Sequence, residues 1–308
     1  MALKAAFFGS GGFAAFCLER LSQRIKPEWV VTNAPKPAGR GMALRPTPVQ
    51  LCAEKLSIPY RTTEKLSKDE ELLAWIKNNT PDVMLVIDFG HIIKEPLLSM
   101  ARLGCINVHP SKLPQYRGSA PVQRAVMDGR KETAVTIFRL DAGMDSGPVL
   151  SQIPVKIEDY DTTGTMLQKC AELGTDELAR YLCCVPEEEW RLVPQPQDGV
   201  SLAPKIEKTE GRIDWNRPAS ALSCLVRAIS VSPGVFCEVN SKRLRIHEVS
   251  AMERTGEAGE LIAVENGMPV VGCGVGSLKF VKVQPEGKKT QNADEWLRGS
   301  RLQVGSRL

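Results

Sequence analysis

Between Gly104 and Pro121 the chain reads Gly-Cys-Ile-Asn-Val-His-Pro-Ser-Lys-Leu-Pro-Gln-Tyr-Arg-Gly-Ser-Ala-Pro. The apolar run into Asn107 predicts the end of a short buried strand. Asn107 and His109, two residues apart, then share one face of that strand. Pro110 and Pro114 forbid a helix directly afterwards, and Gly118 permits a turn. Pro121 suits a first helical residue, with Val122, Ala125 and Val126 as an apolar stripe and Gly129 as the stop. An amide and an imidazole therefore project from a strand's carboxyl end over a stiff loop. In open α/β sheets that edge is where ligands bind.

The rest of the first half supplies the sheet. Leu3 to Phe8 reads as a strand, followed by Gly9-Ser-Gly-Gly-Phe-Ala14 and a helix with Phe16, Leu18 and Leu21. Gly9, Gly11 and Ala14 fit a dinucleotide-type turn. The next strand, Trp29 to Thr32, ends without the acid that would hold a ribose, so we read a tight turn and no NAD site. Helices are expected at Val49–Leu56, Glu70–Lys77 and Thr162–Leu182, and strands at Asp82–Ile87, Thr133–Leu140 and Val149–Ile157. This alternation predicts an α/β domain over residues 1–185, a mostly parallel sheet with helices on both faces. Residues 186–208, rich in proline and glutamate, read as a linker. From 209 to 308 one helix (Ser220–Ala228) precedes short strands separated by turns, the pattern of a small β-barrel. Asn33 to Pro48, with four prolines and two glycines, shows neither helical nor strand periodicity and reads as a long functional loop.

A length of 308 residues suits two domains of ~150 each. No run of ~18 apolar residues suggests a membrane span, and the first residues are too short an apolar stretch for a signal peptide. Nine scattered cysteines, with no metal-binding spacing, point to reduced thiols in a cytoplasmic protein. The net charge of +4 is unevenly placed. Residues 1–204 carry 24 basic and 24 acidic side chains, whereas 205–308 carry 16 and 12. The excess lies wholly in the last third, where an acidic partner could be met.

Asn107-x-His109-Pro-Ser-x-Leu-Pro-x-Tyr-Arg-Gly118, followed by Asp141-Ala-Gly-Met-Asp-Ser-Gly147, resembles the signature of the 10-formyltetrahydrofolate-dependent formyltransferases. Within that family the chain is most similar to the branch acting on methionyl-tRNA. Pro37-Ala-Gly-Arg-Gly41 is similar to that branch's basic tRNA-gripping loop, which relatives with small acceptors generally lack. Ile213-Asp-Trp215, Arg227-Ala228, Pro285-Glu-Gly-Lys-Lys289 and Gly305–Leu308 resemble its C-terminal domain. The resemblance implies a Rossmann-like first domain and an OB-like barrel after it. It implies a monomer that moves a formyl group from 10-formyltetrahydrofolate to the amino group of initiator methionyl-tRNA, with no metal and no membrane.

That reaction requires hydrogen-bond donors aimed at a developing oxyanion and a group that moves protons near neutrality. The resemblance assigns these tasks to Asn107, His109 and Asp145. Asn107 donates without titrating, His109 donates and shuttles a proton, and a carboxylate beside it favours the charged ring. Asp141 is the neighbouring acid, but the position before Ser-Gly is the family's catalytic one. Phe89 and Gly90 match the border of the folate pocket, joined by Ser111, Leu113 and Pro114. Lys36, Arg40, Arg45, Lys288 and Lys289 are the expected tRNA contacts. Asp88, Lys112, Gln115, Ala134 and Pro148 depart from the usual residues. A sugar-nucleotide formyltransferase, a formyltetrahydrofolate hydrolase or a non-catalytic RNA-binding protein would share parts of this pattern.

Overall fold

A computed structural model describes residues 3–38 and 43–308. Contacts divide the chain into two units. The first comprises residues 1–118, 132–156 and 166–202; the second comprises 119–131, 157–165 and 203–308.

The first unit opens with strand β1 (Ala5–Phe8), helix α1 (Gly12–Leu21) and strand β2 (Trp29–Asn33). Two short strands follow, β3 (Lys36–Ala38) and β4 (Ala43–Arg45), pairing antiparallel. The stretch read as free of strand structure thus carries a small hairpin. Three-residue strands are too short to show a period, and Pro37 lies in a two-stranded ribbon where a missing N–H is tolerated. Helix α2 (Pro48–Lys55) starts as its sequence dictates: Thr47 accepts from the Gln50 N–H at 3.0 Å and Pro48 takes the first position. Strand β5 (Tyr60–Thr63), too polar to be anticipated, leads to helix α3 (Glu70–Asn78), capped by Asp69 and carrying Glu70 and Glu71 in its first turn.

Strands β6 (Val83–Val86) and β7 (Cys105–His109) come next. Helix α4 (Pro121–Met127) falls in the second unit, and the chain returns to the first as strands β8 (Glu132–Arg139) and β9 (Val149–Lys156). Helix α5 (Thr163–Cys184) closes the unit's regular structure, its start held by the Thr162 hydroxyl accepting from the Thr165 N–H. The seven strands run β5-β2-β1-β6-β7-β8-β9. The first five are mutually parallel, β8 runs antiparallel to β7, and β9 runs antiparallel to β8.

Alternation along the strands assigns the two faces. Ala6, Phe8, Trp29, Val31, Met84, Val86 and Cys105 form one core with Leu72 and Ile76 of α3. On the opposite face α5 lies close to the sheet at Gly174, where a Cβ would stand 2.6 Å from Val108 Cγ1 and 2.8 Å from Val135 Cγ2. Val108 points toward α5, so Asn107 and His109 point the other way. Residues 186–202, part of the expected linker, are tied into this unit. Val193 exchanges backbone bonds with Val149, and Arg117 donates to the Ser201 carbonyl at 2.9 Å.

In the second unit, α4 carries Arg124, whose guanidinium meets Glu210 at 2.5 Å and the Pro204 and Lys205 carbonyls at 3.1 Å. Helix α6 (Ala219–Ile229) precedes the antiparallel strands β10 (Val235–Val239), β11 (Lys242–Met252), β12 (Leu261–Glu265), β13 (Met268–Gly272) and β14 (Ser277–Pro285). Their order is β10-β11-β14-β13-β12, with β15 (Gln291–Asn292) beside β14, and helix α7 (Ala293–Ser300) follows. Shifts of register bend β11 between Ile246 and Val249. Among the described residues no helix is long and apolar enough to cross a membrane.

The contact at Gly174 yields a test. Gly174→Leu should lower stability by roughly 1–3 kcal/mol, because stiff β-branched side chains on adjacent strands must give way. A urea midpoint equal to that of the parent chain would show slack between α5 and the sheet.

Candidate active site

Asn107 and His109 lie at the carboxyl end of β7, paired with Phe138 and Thr136 of β8. His109 is buried, and Asn107 half-buried. The imidazole Nε2 lies 3.0 Å from the Tyr116 carbonyl oxygen. A carbonyl only accepts, so Nε2 carries a proton. The other nitrogen, Nδ1, faces Asp145 Oδ2 at 3.8 Å. That separation is too long for a hydrogen bond and short enough for an ion pair. Nε2–H is thus turned to the carbonyl, and Nδ1 faces the carboxylate.

Asp145 sits in the loop joining β8 to β9, which leaves β8 beside the start of β7, where Arg139 lies opposite Ile106, and folds back to bring its carboxylate near His109. Its Oδ2 accepts from the Gly118 N–H at 2.7 Å. Its φ is +50°, a left-handed conformation that aspartate tolerates better than most residues. Asp141 has a different task. Its Oδ1 accepts from the Gly143 N–H at 3.0 Å and the Ser146 hydroxyl at 2.7 Å, which folds the loop on itself. Of the two acids, Asp145 is the one beside the imidazole.

The loop after β7 is held by side-chain hydroxyls and amides. Thr136, fully buried, donates to the Ser111 carbonyl at 2.6 Å and accepts from the Leu113 N–H at 3.4 Å and Gln152 Nε2 at 2.9 Å. Gln152 also donates to the Leu113 carbonyl at 3.0 Å. Ser111 spends its hydroxyl on the Gln115 carbonyl at 2.8 Å. Ser111, Leu113 and Pro114 are all buried, so they shape the loop wall rather than extend polar groups from it. Lys112 reaches outward to Glu132 at 3.1 Å.

At the end of the neighbouring strand β6, Phe89 is buried against Phe8 with ring centroids 5.7 Å apart, and Gly90 takes a φ of +77°. These two residues and the Ser111–Pro114 loop therefore follow adjacent strands. Lys36 and Arg45 are exposed and lie opposite each other across β3 and β4. Burial, with the Lys36 ammonium adding to it, pushes the His91 imidazole below its ordinary value. Arg40 lies outside the described residues. Lys288 and Lys289 are exposed in the turn after β14, in the second unit.

Sequence reasoning missed Gln195, which fell within the expected linker. Its Nε2 donates to the Asp145 carbonyl at 2.9 Å and the Gly147 carbonyl at 2.8 Å, while its Oε1 accepts from Arg117 Nη2 at 2.6 Å. Nothing local marked it, because its partners are remote backbone groups. Asp88, flagged only as an unusual residue, closes the turn before α1. Its carbonyl accepts from the Ser10 and Gly11 N–H groups at 3.0 and 3.3 Å, and its carboxylate accepts from the Ala14 N–H. A Cβ on Gly11 would lie 1.8 Å from Asp88 Oδ2. Helix α1, whose N-cap glycine has no side chain, is thus capped from the end of β6. The residue is exposed at the turn's rim, yet its carboxylate is pressed against the Gly11 backbone. Loss of water on that side pushes the carboxyl from the ordinary 3.8 up to about 6, against the bond from Ala14.

Residues 3–182 match the family model described as formyl transferase, and 205–301 match that described as formyl transferase, C-terminal domain. A methionyl-tRNA formyltransferase of Methylobacterium nodulans is 38% identical, with 100% of both chains covered. An N-formyltransferase from Helicobacter canadensis, solved with folinic acid and dTDP-3-aminofucose, has a TM-score of 0.65 at 16% identity over 92% of this chain and 99% of that one. HypX from Aquifex aeolicus, solved with tetrahydrofolic acid, has a TM-score of 0.64 at 14% identity over 99% of this chain and 48% of that one. At such identities the two structures speak for the fold.

Asp88 sets a pH dependence whose sign is fixed. Its folded value lies above its unfolded one, so its ionisation opposes folding, and stability falls as pH rises from about 4 through about 6. Asp88→Asn keeps an acceptor for Ala14 and has no charge to lose. Thermal midpoints of variant and parent should agree near pH 4 and diverge in the variant's favour by pH 7. Equal midpoints at both pH values would show that the carboxylate is fully hydrated.

Proposed function

This chain belongs to the formyl transferase family, and from that we infer that it transfers the formyl group of 10-formyltetrahydrofolate to the amino group of methionyl-initiator tRNA. The observation that carries this reading is the match over the full length of both chains to a methionyl-tRNA formyltransferase. The C-terminal region matches as well as the catalytic one.

The mechanism follows from the bonds at β7. The methionyl amine attacks the formyl carbon, a tetrahedral oxyanion forms, and its bond to the folate nitrogen breaks as that nitrogen takes up the proton the amine has lost. With Nε2 committed to the Tyr116 carbonyl, the donor His109 offers a substrate is Nδ1–H. Asn107, on the same strand face, offers an amide N–H that never titrates. Both suit an oxygen whose charge grows in the transition state. Asp145, beside Nδ1 and anchored by the Gly118 N–H, balances the charged ring and accepts the proton the attacking amine must lose. The folate donor lies against Phe89, Gly90 and the Ser111–Pro114 wall, where stacking and backbone contacts carry recognition. Lys36, Arg40 and Arg45 bind tRNA phosphates around the β3–β4 hairpin, and Lys288 and Lys289 do so from the second unit.

Asn107→Ala, His109→Ala and Asp145→Asn should each lower kcat by roughly 10²-fold or more with thermal midpoints near that of the parent. Single-turnover formylation of methionyl-tRNA measures this, and near-normal turnover of His109→Ala would end the mechanism. The double change Lys36→Ala with Arg45→Ala should weaken tRNA binding and leave folate binding unaltered. The defect should shrink as salt rises, because each lost phosphate contact removes about 0.9 from the slope of log K against log salt on duplex-like RNA. Equal slopes for the two proteins would show that the hairpin does not touch RNA.

A further inference from the structure

We propose that Gln195 is a positioning residue for catalysis, holding Asp145 in register with His109. The proposal rests on the reading of Asp145 as a catalytic group and deepens it.

Gln195 is only 6% exposed, and every capacity of its amide is used. Both Nε2 hydrogens go to carbonyls of one loop, those of Asp145 and Gly147. Oε1 takes two bonds from the Arg117 guanidinium, at 3.2 Å from Nε and 2.6 Å from Nη2. The guanidinium settles which way the amide points, since a flipped amide would set N–H against N–H. The backbone around the arginine is the part that matters for chemistry. Tyr116, before it, supplies the carbonyl that holds His109. Gly118, after it, supplies the N–H that holds the Asp145 carboxylate. One buried amide thus joins the loop that carries Asp145 to the loop that orients both reacting side chains.

Asp145 needs such an anchor. Its φ of +50° costs energy that the surroundings must offset, and its half-buried carbonyl is better placed with a protein donor. Gln195 supplies that donor from a segment held beside the site by Val193 and Ser201. At 3.8 Å the Nδ1–Oδ2 pair has charge attraction but no hydrogen bond to fix where the carboxylate points. Its aim is therefore set by the loop, and a loosened loop would turn it away from the ring while leaving the folate wall and the tRNA contacts in place.

The test compares four full-length variants in formylation of methionyl-tRNA: Gln195→Ala, Gln195→Glu, Asp145→Asn, and Gln195→Ala combined with Asp145→Asn. Glutamate keeps the volume and the acceptor facing Arg117 but loses both donors. Gln195→Ala and Gln195→Glu should each lower kcat by about 10- to 100-fold, with KM for both substrates changed less than about threefold. In the Asp145→Asn background, the alanine change should cost less than about threefold, because the group it positions is already disabled. Parental turnover in Gln195→Glu, or losses that multiply in the double variant, would overturn the positioning role. Parental turnover in Asp145→Asn would instead overturn the catalytic reading beneath it. If Gln195→Ala does not fold, the glutamate variant alone and combined with Asp145→Asn decides the matter by the same criteria.

Discussion

Two main-chain groups in one short loop govern what the site's side chains can do. The Tyr116 carbonyl dictates that His109 carries a proton on Nε2, and the Gly118 N–H claims one oxygen of Asp145. Neither group belongs to a side chain, so it is the shape of the loop that places both bonds. That shape is strained. Tyr116 has a φ of +59°, uncommon for a bulky residue and costing on the order of 1–3 kcal/mol. It is held there from outside, by the Ser201 hydroxyl accepting from the Tyr116 N–H at 2.9 Å. Strain concentrated at this position fits a site whose geometry is set before substrate arrives.

The sheet's change of direction decides how the arrangement is reached. Five parallel strands bring the end of β7 to a ligand-binding edge, as in other open α/β sheets. β8 then runs the opposite way, with Thr136 opposite His109 and Arg139 opposite Ile106, so the loop from β8 to β9 leaves from beside the start of β7. That loop folds back along the strand and brings the Asp145 carboxylate to 3.8 Å from the imidazole of a histidine far from it in sequence.

Much of this was legible from residues alone. The placement of Asn107 and His109 on one strand face followed from period two, and α2, α3 and α5 lie within two residues of where helices were expected. The two halves showed in the shift from alternating helices and strands to successive short strands. What escaped had few local signals. The β3 and β4 strands are too short for a period, and β5 is polar on a sheet edge. Gln195 lies in a proline-rich run whose composition excludes helix but says nothing of long-range pairing. The division into units was also hidden. Residues 119–131 and 157–165 join the second unit through contacts such as Arg124 with Glu210 and Arg227 with the Asp161 carbonyl. Sequence order cannot announce such contacts. Choosing between Asp141 and Asp145 needed family resemblance at first; the bonds of Asp141 to its own loop give a physical reason.

The hydroxyl of Thr136 has one donor and two acceptor sites, and all three are engaged by the loop after β7 and by Gln152 of β9. A saturated buried hydroxyl makes separate pieces share a single opening event. The Leu113 amide meets solvent only when the loop parts from β8, and β8 is gripped by β7 and β9 on its two sides. These bonds tie the loop to the heart of the sheet, the part of a fold whose amides open last, although its proline-rich sequence looks like surface. The wall beside Asn107 and His109 thus shares its anchoring with the core beneath it.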